Sequence, residues 1–83
     1  MKQMDTYNLY IEQEDNYYKQ LETIEQCQSA IFDYIYRSGS RCDKLTVQDI
    51  LLSVHHLEDS IRVQLLHLKL EKAYLAYVMK KPT

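Results

Sequence analysis

Helix breakers are scarce in this chain: one glycine, Gly39, and one proline, Pro82, in 83 residues. All-β folds need frequent turns and phosphate-binding loops need glycine, so both are excluded. No apolar run approaches the roughly 18 residues that read as a membrane-spanning helix. Tryptophan is absent and Phe32 is the one phenylalanine. The two cysteines, Cys27 and Cys42, have no close spacing. Free thiols in a reducing compartment are therefore expected, with a Cys27–Cys42 bridge as the alternative. The stretch Met1–Asp5 leads into acidic, tyrosine-rich sequence without the apolar segment of a secretory signal, and a cytoplasmic location is expected.

A chain this short makes one domain at most. As a monomer it hides only about 60–65% of its unfolded surface, and small proteins offset that with disulfides, metals or oligomerisation. Here a homo-oligomer, a dimer, is the expected source of extra burial. Net charge is −2, unevenly placed. Residues 1–36 carry two cations against seven anions, and residues 37–83 carry eight against five. Two halves of opposite sign suit an antiparallel pairing.

Positions 7, 10, 14, 17, 21, 24, 28, 31 and 35 step by three and four, and seven of the nine are apolar or aromatic. This is a heptad-type helical stripe. The spacing predicts helix 1 at about 6–36, with acids early and Arg37 late as the helix dipole favours. The polar stretch 37–45, with Gly39, is the expected loop. Thr46-x-x-Asp49 resembles a capping box, so helix 2 is predicted at about 46–80, ended by Pro82 behind Lys80 and Lys81. Its stripe is read at 50, 54, 57, 61, 64, 68, 71, 75 and 78, again seven of nine apolar. A second stripe, Val63, Leu66, Leu70, Ala73 and Tyr77, falls roughly opposite. A helix apolar on two opposed faces is covered from both sides. Helix 1 covers one; a second copy or a larger protein partner is expected on the other, with a break near His55–Asp59 that folds the helix back on itself as the remaining alternative. The fold expected is all-α: a long two-helix hairpin self-associating into a helical bundle or coiled-coil-like dimer.

Signs of chemistry are few. His55 with Asp59 and His67 with Glu71 are i,i+4 pairs, but zinc needs three or four converging ligands, so neither metal nor cofactor is expected. Cys27 reads as packing beside the stripe. Cys42, near Arg41 and Lys44, is in a setting that makes thiols reactive but has no assigned base. No enzyme is expected. Eight tyrosines suit half-buried boundaries. They read either as packing within the bundle or, for Tyr7, Tyr10, Tyr17 and Tyr18, as a partner site. The expected function is a small binding protein: an adaptor, a chaperone-like cofactor, or an inhibitor that occludes a larger protein.

Ile31-Phe32-Asp33-Tyr34-Ile35, then Leu45-Thr46-Val47-Gln48-Asp49-Ile50, then Ser60-Ile61-Arg62-Val63 with Leu66 and Leu70–Leu75 follow one another in a familiar order. The segment 31–78 thereby resembles a winged helix-turn-helix domain. That resemblance implies a DNA-binding regulator using Arg41, Lys44, Arg62, Gln64 and Lys69, and a turn within 55–59. The sequence departs from it at Tyr74, where such domains usually have glycine, and at Ile61, Leu65 and Leu68 on the groove-facing surface. Separately, Lys69-Leu70-x-x-Ala73-Tyr74 with Met79 and Pro82 is similar to the C-terminus of the flagellar rod-adaptor family.

Overall fold

The computed structural model describes residues 2–80. Helix α1 spans Lys2–Ser38, a short 3-10 turn spans Gly39–Arg41, and helix α2 spans Lys44–Lys80. Both helices start earlier than the spacing predicts, at Lys2 and Lys44, and neither glycine nor proline lies between those starts and the expected ones. Lys81 and Pro82, the expected stop, lie outside the described residues. Each helix of 37 residues is about 55 Å long. The molecule measures 66 × 16 × 14 Å, and its radius of gyration is 18.9 Å. A globular domain of this length would have about 12 Å. The chain is an extended antiparallel hairpin.

The reversal is tight. Cys42 is extended, at φ −102° and ψ 137°, and its N–H donates to the Gly39 carbonyl at 3.2 Å. Gly39 does not take a positive φ. A Cβ there would meet only Ile35 Cγ2, at 3.7 Å, an ordinary contact. The cap of α2 differs from the expected Thr46–Asp49 box. Asp43 accepts from both the Thr46 N–H and the Thr46 hydroxyl. Asp43 is thus the N-cap and Thr46 the third helical residue, one turn earlier than read from sequence.

Between the helices runs a seam of half-buried and buried side chains. On α1 it follows Tyr7, Tyr10, Glu14, Tyr17, Leu21 and Ile24, then Gln28, Ile31 and Ile35, as the spacing predicts. On α2 it follows Val47, Leu51, Val54, Glu58 and Ile61, then Leu65, Leu68, Lys72, Leu75 and Met79. Positions 54, 61, 68 and 75 match the expected stripe. The rest lie one residue later, so 51, 58, 65, 72 and 79 replace 50, 57, 64, 71 and 78. The rotation takes Leu65 into the core and turns Gln64 and Glu71 to solvent, where the Gln64 amide donates to the Ser60 hydroxyl at 3.3 Å. It also brings Lys72 to Glu14: the ammonium donates to the carboxylate at 2.8 Å. That hydrogen bond raises the Lys72 pKa; partial burial opposes it and the Glu14 charge adds to it.

Among the described residues only Ile24, Ile61, Leu65 and Leu68 are buried, all near the middle of the hairpin. Helix α2 passes through 55–59 without a break. The turn a winged helix-turn-helix needs there is missing, and no strand occurs among the described residues. The two-helix hairpin stands in its place.

Candidate interaction surface

The second apolar stripe of α2 projects away from α1. Val63, Leu66, Leu70 and Tyr77 are 53%, 65%, 52% and 63% exposed, and Ala73 between them is exposed too. Their 3-4-3-4 spacing keeps them in line along about four turns of helix. With the seam passing through Ile61, Leu65 and Leu68, the 100° step per residue turns Val63, Leu70 and Tyr77 almost directly outward. Leu66 and Ala73 turn toward one broad side of the hairpin. A row of large apolar side chains on a continuous helix is costly in water and is the kind of patch that marks an interaction site.

The tyrosines divide. Tyr7, Tyr10 and Tyr17 are half-buried in the seam, so their rings already pack against α2. Tyr18 stands on the flank, 44% exposed, with the Lys69 ammonium 5.2 Å from its ring centroid. A cation over an aromatic face at that distance is attractive. Beside Tyr18 on the same flank of α1 are Met4, Ile11 and Phe32, all exposed. This row was not singled out in the sequence. Its one-per-heptad spacing is too sparse to register as a stripe until the seam is known.

The residues implied by the helix-turn-helix resemblance do not converge. Arg41 ends the 3-10 turn and Lys44 begins α2, while Arg62, Gln64 and Lys69 lie more than four turns further along the same helix. Arg62 is drawn toward Glu58, at 3.8 Å.

At the closed end an open cleft of about 600 Å³ is lined by Ile35, Gly39, Cys42, Val47, Leu51 and Leu52, with Lys44 at its edge. Cys42 is half-buried there and its thiol donates to the Ser38 carbonyl at 3.7 Å. Cys27, expected to pack, is exposed instead, because the seam passes through Ile24 and Gln28 and leaves position 27 on the flank. His55, Glu58 and Asp59 bring one ligand atom each within 4.8 Å of one another. His55 Nε2 and Asp59 Oδ2 are 3.3 Å apart. Glu58 joins the i,i+4 pair read from the sequence because it stands three residues after His55 on the same helix, and residues so spaced are neighbours. All three donors come from a single helical turn.

No described helix is long and apolar enough to cross a membrane. Comparison with known proteins finds no matching family model, no similar curated protein and no similar solved structure.

Proposed function

We propose that this chain is a small, non-enzymatic protein–protein interaction module. It associates through the outward apolar face of α2 and with a larger protein, as an adaptor, a chaperone-like cofactor or an occluding inhibitor. The observation that carries this reading is the exposed row Val63, Leu66, Leu70, Ala73 and Tyr77 on an unbroken helix. Burying such side chains stabilises an association by about 25 cal/mol per Å² of apolar surface, less the cost of ordering. Amphipathic helices that lay an apolar row into a groove are a recurring recognition mode. The tyrosine-rich open end adds rings with polar tips, which tolerate both water and contact.

The test is affinity capture with the intact chain as bait, compared with a variant carrying Val63→Asp, Leu70→Asp and Tyr77→Asp. These three side chains are exposed, so the variant keeps its helical circular dichroism. The reading expects a protein captured in stoichiometric amount by the wild type and lost from the variant. Identical capture by both baits, or none by either, contradicts it.

A further inference from the structure

We infer that a second copy of this chain covers one broad side of the hairpin, forming an antiparallel four-helix bundle. In it Glu22 faces Arg62 of the partner subunit and Asp15 faces Lys69 of the partner subunit. This rests on the interaction-module reading and names its first partner.

Surface area gives the first reason. The chain exposes 6891 Å². A compact monomer of 10.0 kDa would expose about 5,200 Å². The excess of roughly 1,700 Å² per chain is ample for a standard interface, which takes about 800 Å² from each partner.

Pattern and charge say which side is covered. Lys69 over Tyr18 shows that the two edges carrying these residues lie on the same broad side. On the α1 edge, Ile11, Asp15, Tyr18 and Glu22 step by four, three and four. On the α2 edge, Arg62, Leu66, Lys69 and Ala73 step by four, three and four. All eight are exposed. Set antiparallel, the rows match rung by rung: Glu22 with Arg62, Tyr18 with Leu66, Asp15 with Lys69, Ile11 with Ala73. Each charge meets its opposite and each apolar group meets another. Among the described residues neither Asp15 nor Glu22 has an ion-pair partner within the chain.

Within one chain Lys69 meets Tyr18, but among the described residues no ion pair joins Asp15 or Glu22 to Arg62 or Lys69, because both rows face off the same side of the hairpin. A two-fold axis along the hairpin brings them together. It lays the α1 of one copy over the α2 of the other, antiparallel and at nearly the same height. Every rung is then made twice and the assembly closes at two copies. Val63, Leu70 and Tyr77 point away from this side and remain open for a larger partner.

Sedimentation equilibrium on the intact chain tests the pairing, with circular dichroism to confirm helicity. Glu22→Arg and Arg62→Glu should each weaken the dimer by about tenfold or more, and the double variant should recover most of that loss. A second measurement does not depend on charge. With Cys27→Ser and Cys42→Ser in the background, Tyr18→Cys and Leu66→Cys together should give a covalent dimer on mild oxidation. Three results would overturn the inference. One is a wild type that stays monomeric at high micromolar concentration. Another is a dimer indifferent to both reversals, or made worse by combining them. The third is failure of the cysteine pair to cross-link a helical protein. Capture of a larger protein through Val63, Leu70 and Tyr77 would survive any of these, so the two readings fail separately.

Discussion

Lys72 Nζ lies 2.8 Å from Glu14 Oε2, and this contact joins residues 58 positions apart across the seam. It determines which of two overlapping stripes on α2 faces α1. An acid in the apolar row of α1 requires a cation opposite, and only the observed rotation of α2 supplies one.

The pair gives a pH-dependent prediction. Lys72 has a raised pKa when folded, so its contribution is fully present below the ordinary lysine value of 10.5 and fades as pH climbs through the folded value. Lys72→Met should cost about 1–3 kcal/mol at neutral pH by leaving Glu14 half-buried and unpaired. Wild type and variant, compared by urea unfolding, should converge above pH 10.5. A gap that widens there would refute the assignment.

The four buried side chains make a thin core. Leu65→Ala should destabilise by about 2–5 kcal/mol, whereas Leu57→Ala, at an exposed position, should cost less than about 1 kcal/mol. Equal effects would mean that the seam runs through 57 and 64 after all.

Gly39 meets no conformational demand. Gly39→Ala should be neutral or stabilise by up to about 1 kcal/mol, because alanine restricts the unfolded chain more than glycine does. Thermal unfolding reads this directly, and a loss beyond 1 kcal/mol would show that the turn needs its freedom.

Continuity of α2 through 55–59 separates the hairpin from a helix-turn-helix. Leu57→Pro should cost about 3 kcal/mol or more, since it removes a helical hydrogen bond and crowds the preceding turn. Amides 55–59 should exchange as slowly as their neighbours. Rapid exchange limited to those five, with Glu58→Gly tolerated, would place a turn there.

The sequence made the seam of α1 legible, because its outer face is polar and one stripe dominates, although the helix starts at Lys2 and not near residue 6 and Cys27 falls outside the seam. It left α2 ambiguous. One reading put Gln64 and Glu71 in the seam and the other put Glu58 and Lys72, with the same apolar count among the alternating positions. Local pattern cannot choose between them; Glu14 can, but only once the helices are paired. The cap was misplaced for a similar reason: Thr46 is a good cap by type, yet Asp43 lies where the tight turn ends and its carboxylate reaches back to Thr46. Of the surface, the row from Val63 to Tyr77 was visible by spacing alone. The matching ladder of Asp15 and Glu22 with Arg62 and Lys69 required knowing which flank each helix turns to the same side.

The central proposal is that the broad side of the hairpin that carries Leu66 and Ala73 is the contact surface between chains. Its most direct test is light scattering with thermal unfolding across a wide concentration range. The wild type should have the mass of a dimer, with an unfolding midpoint that rises with concentration. Leu66→Glu, on the covered side, should lower the mass to a monomer's, whereas Leu70→Glu, on the outward face, should leave the dimer intact. A wild type of monomer mass at high micromolar concentration, unfolding at a fixed midpoint, would contradict the claim.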